Sequence, residues 1–123
     1  MRVILTMLLM LAAAPAWSEW EKVGETDALV AYIDPATIRK TGHLRRVWAM
    51  QDLKKKQRNG EMSRRLLREY DCEKERFKLL SVSTHSGPMA TKQTLVSTDE
   101  AGEWRYIAPG TSAAMGYRLI CAP

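Results

Sequence analysis

The chain has 123 residues, of which 46% are hydrophobic and 27% are charged, and its formal net charge at pH 7 is +5. This length suits one domain with one modest hydrophobic core, which excludes a multidomain architecture. Only two cysteines and two histidines are present, which leaves few side chains for a metal site.

The first eighteen residues have the features of a secretory signal peptide. Arg2 supplies a positive start, and the apolar run at 3–14 is too short to cross a bilayer of about 30 Å as a helix. The small residues that follow fit cleavage before Trp17 or before Glu19, and we favour the second site. Neither cut leaves a cysteine for lipid attachment. We therefore expect a soluble exported domain at 19–123, with a retained, uncleaved anchor as the alternative.

The two cysteines, Cys72 and Cys121, are the strongest architectural signal in the chain. In a small exported protein, a cysteine pair forms a disulfide more often than a metal site. Closing a loop of about fifty residues stabilises a small domain by roughly 4 kcal/mol in the chain-entropy model. We therefore predict one disulfide that fastens the C-terminal tail to the middle of the chain.

Alternating apolar residues predict a series of short strands. The first covers 20–24, and the second, at 29–34, is apolar on both sides and should lie inside the sheet. Proline cannot donate a hydrogen bond to a neighbouring strand, so Asp34-Pro35 ends this strand, and the aspartate can cap a single helical turn. A turn is predicted at 40–42.

A long strand is predicted at 43–55, where a helix is the alternative interpretation. Asn59-Gly60 is typical of a hairpin and returns the chain antiparallel through a strand at 63–72. The charged segment at 73–75 predicts the next turn. Further strands are predicted at 77–85, 91–97 and 104–107.

The C-terminal stretch has helical periodicity. Thr111 or Ser112 can cap a helix whose apolar positions recur at a helical spacing. Those positions are Ala113, Tyr117, Ile120 and Cys121. Gly116 weakens this helix by about 1 kcal/mol relative to alanine. The predicted fold class is α+β, a mainly antiparallel β-sheet meander with a C-terminal helix tethered by one disulfide.

Charge is unevenly distributed along the chain. Between Arg39 and Lys78 there are fourteen basic and six acidic residues, whereas the rest of the expected mature chain has four basic and eight acidic residues. A basic middle favours an anionic glycan, a lipid headgroup or an acidic protein, or it only keeps the protein soluble. Nucleic acid is not an expected partner of an exported protein.

The candidate binding residues lie in this basic middle. They are Arg45, Arg46, Lys54, Lys55, Lys56, Arg58, Arg64 and Arg65. Side chains alternate between the two faces of a strand, so only some of these residues can share a face. We favour the hairpin tip at 54–58 as the binding site.

Signals for catalysis or metal binding are scarce. His85 precedes Ser86, but a nucleophile and its base are brought together by folding and not by adjacency in sequence. His43 lies in a predicted turn, where exposure to solvent is the default. Zinc-protease, P-loop and dinucleotide-binding motifs are lacking, and the methionines do not have the clustered spacing of a copper site. We therefore expect neither an enzyme nor a bound metal or other cofactor.

Several short motifs follow one another in a characteristic order. They are Trp20, YIDPATI at 32–38, Val47-Trp48, Tyr70-Asp71-Cys72, Trp104, Pro109-Gly110-Thr111 and Cys121. Their order and the cysteine positions resemble the surface-adhesin protein E family of small exported proteobacterial domains. The resemblance covers essentially the whole mature domain. It implies a mainly antiparallel sheet with a disulfide-tethered C-terminal helix, and attachment to host matrix proteins such as vitronectin and laminin.

Two function hypotheses follow. The first is a non-enzymatic exported binding domain that engages anionic or matrix partners through the basic middle. The second is a structural or accessory protein of the cell envelope, bound to its partner by a sheet edge or an apolar patch. Salt separates the two hypotheses, because screening weakens charged contacts far more than apolar ones. Either places the protein in the periplasm or outside the cell, without a transmembrane span after signal cleavage.

Overall fold

The computed structural model describes residues 19–123, which form an eight-stranded antiparallel sheet and several short helical segments. The expected signal peptide at 1–18, with its alternative as a retained anchor, lies outside the described residues. Among residues 19–123, no helix is long and apolar enough to cross a membrane.

The strands follow one another across the sheet almost in chain order. They are β1 (Glu21–Glu25), β2 (Leu29–Ile33), β3 (Arg39–Thr41), β4 (Leu44–Leu53), β5 (Ser63–Asp71), β6 (Arg76–His85), β7 (Thr94–Thr98) and β8 (Arg105–Tyr106). The order in space is β1-β2-β4-β5-β6-β7, with β3 beside β4 and β8 beside β6. The predicted antiparallel meander is confirmed, and 43–55 holds a strand and not the alternative helix.

The strand β2 lies between β1 and β4, as its apolar character on both sides predicted. Asp34 then accepts a hydrogen bond from the Ala36 amide at 3.2 Å and begins a 3-10 turn at Pro35–Thr37. The Thr37 hydroxyl accepts a bond from the Trp48 amide at 3.0 Å. The predicted single turn is therefore present, and it is attached to β4.

Some boundaries differ from the sequence-based expectations. The turn predicted at 40–42 is preceded by the short strand β3, and the turn itself falls at Gly42, whose φ of +59° favours glycine. The strand predicted at 91–97 begins only at Thr94. A 3-10 turn at Pro88–Ala90 precedes it and packs on β4 and β5, which delays the pairing of β7 with β6.

The connection between β4 and β5 is a loop at 54–62 instead of a two-residue hairpin. Its tip is a turn in which the Gly60 amide donates to the Gln57 carbonyl at 2.9 Å. Gly60 has a φ of +88°, which explains the glycine at this position. The Asn59-Gly60 signal therefore marks the tip of a longer loop.

The predicted C-terminal helix consists of two short helices, α1 (Ser112–Met115) and α2 (Tyr117–Ile120), which meet at Gly116. A Cβ atom at Gly116 would lie 3.3 Å from the Ile33 side chain, so glycine allows the helices to approach β2 closely. Thr111 occupies the N-cap position, but its hydroxyl donates to the Ala108 carbonyl at 2.7 Å. The expected side-chain cap by Thr111 or Ser112 is therefore wrong.

The two helices cover one face of the sheet, here termed the covered face. The buried cluster between helices and sheet comprises Ile33, Val47, Ala49, Tyr70 and Ile120. The Tyr70 hydroxyl donates to the Ala113 carbonyl at 2.8 Å, and burial raises the pKa of this tyrosine. The predicted disulfide between Cys72 and Cys121 is present beside this cluster, with 5.6 Å between the two Cα atoms.

The disulfide should supply a large part of the stability of the domain. We expect the double variant Cys72→Ser/Cys121→Ser to lose about 4 kcal/mol of unfolding free energy, because the unfolded chain is no longer closed into a loop. Thermal unfolding followed by circular dichroism measures the change. Reductant added to the parent should lower its melting temperature in the same way, and an unchanged melting temperature would contradict this account.

Arg68 is a buried cation on the covered face. It is 4% exposed, its Nη2 donates to the Ser112 hydroxyl at 2.8 Å, and its Nε has no hydrogen-bond partner. It forms no ion pair within residues 19–123. Burial of a charge without a counter-charge is unfavourable, so the contribution of this residue to stability comes from its packing.

We therefore expect Arg68→Met to keep or raise the unfolding free energy, because methionine fills similar space without a charge to desolvate. Arg68→Ala should lower it by about 2 kcal/mol, since it removes the packing as well. Urea denaturation of both variants measures the difference. A methionine variant as unstable as the alanine variant would show that the guanidinium itself stabilises the fold.

Candidate functional site

The face opposite the helices carries most of the accessible cations of the sheet. Directly paired residues on neighbouring strands place their side chains on the same face. One row across β3, β4, β5 and β6 is Arg39, Arg46, Glu69 and Lys78. The next row is Trp48, Leu67 and Ser81. We term this surface, with Arg65 and Arg76 from the same strands, the open face.

One end of the open face is closed by the chain itself. In the 3-10 turn before β7, the Met89 amide donates to the Asp52 carboxylate at 3.0 Å. The Ala90 amide donates to the Ser63 hydroxyl at 2.9 Å. Met50 and Ser63 are consequently fully buried. The accessible part of the face therefore lies on the side of Arg46 and Lys78.

Arg65 is held on the open face by an aromatic ring. Its guanidinium carbon lies 4.0 Å from the ring centroid of Trp48, within the range of a cation–π contact. Arg65 forms no ion pair with any residue of the described 19–123 segment. The contact with Trp48 positions the guanidinium without neutralising its charge.

A second aromatic ring holds two further cations. The Arg76 guanidinium carbon and the Lys78 ammonium nitrogen each lie 4.6 Å from the ring centroid of Trp104. Arg76 also donates to the Asp71 carboxylate at 3.1 Å. Burial alone would raise the pKa of Asp71, but hydrogen bonds from the Lys74 amide and the Arg76 side chain bring it below its usual value.

A cleft of about 300 Å³ lies at the other edge of the open face, and its lining residues are Arg39, Thr41, Leu44, Arg46 and Glu69. The Arg46 Nε donates to the Glu69 carboxylate at 2.9 Å. Because Glu69 is only 5% exposed, this contact is a partly buried ion pair and Arg46 is largely neutralised.

The loop at 54–62 presents a second group of cations. Lys54 contacts the Glu25 carboxylate at 2.6 Å, and Lys22 contacts the same group at 2.8 Å. Hydrogen bonds from Lys22 and then Lys54 lower the pKa of Glu25 from 4.5 to about 2. Lys55, Lys56 and Arg58 are exposed, and these three form no ion pair within the described part of the chain.

The structure divides the predicted binding residues among three places. The loop carries Lys54, Lys55, Lys56 and Arg58. The open face carries Arg46 and Arg65. The covered face carries Arg45, which pairs with Tyr70, and Arg64, which pairs with Gln51. Arg45 donates to the backbone carbonyls of Gly42 and Leu44, and Arg64 contacts Glu61 and Gln51. The predicted residues therefore do not form one site.

Arg39, Arg76, Lys78 and Trp104 were not among the predicted binding residues. The alternation of Arg76 and Lys78 in β6 was a signal that these two share a face. Their position beside Trp104 depends on the pairing of β6 with β8. Their position beside Glu69 depends on the pairing of β5 with β6, whose register shifts between Leu67 and Arg68. Such a bulge leaves no clear mark in the sequence.

The two histidines make contacts that fix local structure. His85 is 8% exposed, with its Nε2 at 2.8 Å from the Ser83 hydroxyl, and burial followed by the charge of Arg65 lowers its pKa. His43 is exposed and lies beside Asp71 and Glu73. Within 19–123, no three His, Cys, Asp or Glu side chains are placed to hold a metal ion.

The overall fold is similar to that of solved structures. Protein E of Haemophilus influenzae, in crystal form II, superposes with a TM-score of 0.61 at 13% identity, over 81% of this chain and 91% of that one. Protein E from non-typeable Haemophilus influenzae gives a TM-score of 0.64 at 14% identity, over 86% and 77% of the two chains. At such identities the likeness shows the fold alone.

No curated protein matches the chain. The model of the surface-adhesin protein E family matches residues 20–122, nearly the whole of the described structure. This is a family of surface adhesins and not of enzymes, which implies an exported binding protein. The chain therefore belongs to the surface-adhesin protein E family.

Proposed function

We propose that residues 19–123 form the mature part of an exported, non-enzymatic binding domain, and that the loop at 54–58 attaches it to anionic or matrix partners. One observation carries the proposal: Lys55, Lys56 and Arg58 are exposed and have no ion-pair partner within 19–123. Cations without intramolecular partners remain available to an anionic surface.

The base of the loop is held to the sheet. The Lys54 amide donates to the Ala28 carbonyl at 2.9 Å, and the Gln57 amide donates to the Glu61 carbonyl at 2.9 Å. The Lys54 ammonium group also contacts Glu25 at 2.6 Å. These bonds fix the backbone before a partner arrives, so less conformational entropy is lost on binding.

An accessory role in the cell envelope is the second candidate function. The edge strand β7 exposes Leu95 by 38% and Val96 by 58%, and Thr94–Thr98 contains no charged residue. An uncharged edge with free backbone groups can pair with an extended strand of another protein. Binding by this edge would depend little on salt, in contrast to binding by the loop.

Binding of the oxidised mature protein to immobilised heparin and to laminin across a salt series tests the loop. The variant Lys55→Gln/Lys56→Gln/Arg58→Gln should bind about tenfold more weakly, because it loses three exposed charge contacts. Binding of the parent to heparin and laminin should also weaken as the salt concentration rises. Salt-independent binding that the loop variant retains would favour the accessory role.

The matched control is Lys92→Gln/Arg105→Gln/Arg118→Gln, which removes the same charge from exposed positions outside the loop. It should bind like the parent. If this control weakened as much as the loop variant, net charge and not the loop would determine binding, and the proposal would be wrong.

The Glu25 contacts predict a specific pH dependence. The folded-state pKa of Glu25 is depressed, so its ion pairs contribute stability above the ordinary pKa of 4.5, and this is lost as the pH falls toward about 2. Lys54→Gln and Lys22→Gln should each raise the Glu25 pKa, whereas Lys55→Gln should leave it unchanged. NMR titration of the carboxyl groups measures the pKa of Glu25 in the parent and in the three variants. A parent Glu25 that titrates near 4.5 would contradict the assigned contacts.

A further inference from the structure

We propose that the open face is a second binding surface, which takes an acidic glycan chain on the cations held by Trp48 and Trp104. The cations are Arg65 at the first ring and Arg76 and Lys78 at the second. This surface is separate from the loop at 54–58, so the inference does not rest on the function proposed for that loop.

Arg65 and Lys78 are held by aromatic rings and not by carboxylates. An arginine paired with a carboxylate is neutralised, whereas an arginine stacked on an indole keeps its full charge and its N–H donors at the rim of the guanidinium. Within residues 19–123, Arg65 and Lys78 form no ion pair. Their side chains are therefore positioned in advance for an external anion.

The contrast with Arg46 supports this distinction. Arg46 lies on the same face, but it donates to Glu69 at 2.9 Å. The charge of Arg76 is partly neutralised, because this residue donates to Asp71 at 3.1 Å and also lies over the Trp104 ring. On the β5 and β6 part of the face, the charge available to a ligand therefore lies at two positions, one at Trp48 and one at Trp104. Arg39, on the edge strand β3, donates to the backbone carbonyls of Ala36 and Ile38.

The two positions are so far apart that only an extended ligand can contact both. Lys78 pairs with Glu69, which lies four residues beyond Arg65 along β5. With about 3.3 Å per residue and about 4.8 Å between strands, the Cα atoms of Arg65 and Lys78 are roughly 14 Å apart. A single small anion reaches only one of them. A chain with regularly repeated anionic groups reaches both.

The remaining chemistry of the face favours a sugar chain over an acidic peptide or a membrane. Ser81 lies between the two positions, and Ser83 lies beside Arg65. Their hydroxyls contact the Asp99 carboxylate and the His85 ring, and each hydroxyl oxygen retains a lone pair that can accept a bond from a sugar hydroxyl. Leu67 is the aliphatic residue between the two positions, and it is half-buried. A peptide or lipid partner would normally be anchored by apolar side chains in a pocket or by an exposed apolar rim. An acidic sugar chain needs cations and hydrogen-bond partners but no apolar anchor.

The test uses oxidised mature protein that already carries Lys55→Gln/Lys56→Gln/Arg58→Gln, so that the loop cannot contribute. A heparin-derived hexasaccharide is titrated into this protein while the indole N–H signals are followed by NMR. The signals of Trp48 and Trp104 should shift along one saturable curve, and that of Trp20 should not. Failure of the loop proposal leaves this measurement unaffected.

Adding Arg65→Gln/Lys78→Gln should weaken binding of the hexasaccharide at least tenfold, whereas Lys40→Gln/Arg118→Gln, which removes equal charge from exposed positions, should not. Indole signals that remain unshifted, or equal losses in both variants, would overturn the proposal. Poly-glutamate that binds as tightly as the hexasaccharide would replace the glycan with an acidic protein as the partner. Unaltered binding of a hexasaccharide that is both desulfated and carboxyl-reduced would show that anionic groups are not recognised, and it would overturn the proposal.

Discussion

The attachment of the C-terminal segment to the sheet is the constraint on which the rest of the structure depends. α1 and α2 are each far shorter than a helix that is stable alone in water. The Cys72–Cys121 disulfide and the bond from Tyr70 to the Ala113 carbonyl hold them against β2, β4 and β5. Burial of Ile120 against Ile33 then completes the core. The crosslink thus keeps the two helices on the face of the sheet that carries the buried cluster.

The face on which the helices pack also determines which charged residues are buried. Arg68 points to the covered face and is buried without a counter-charge. Arg65 lies three residues earlier in the same strand, so it points to the opposite face, where it stacks on Trp48. Cations that are close in sequence therefore have different roles. Arg68 on the covered face packs in the core, whereas Arg65 on the open face keeps a charge that no carboxylate of the described residues neutralises.

The family implies an exported binding protein, and the two basic surfaces that we propose for binding differ physically. The loop at 54–58 presents flexible lysines on a backbone fixed by hydrogen bonds, and the open face presents cations held by tryptophan rings. Exposed lysines suit electrostatic attraction at long range, which salt weakens. Stacked arginines suit shorter contacts with defined geometry. The two surfaces therefore complement each other physically.

The sequence by itself determined the antiparallel meander, the Asp34 turn and the disulfide, because alternation, turn residues, capping and cysteine pairing are encoded by local patterns or by the only available partner. Only the tertiary structure decided that β3 pairs with β4 and β8 with β6. It also decided the break at Gly116, since the close approach to Ile33 is a contact between distant segments. It likewise decided the contact of Trp104 with Lys78, which follows from the pairing of β6 with β8. Register between strands is a property of the whole sheet, and no single segment specifies it.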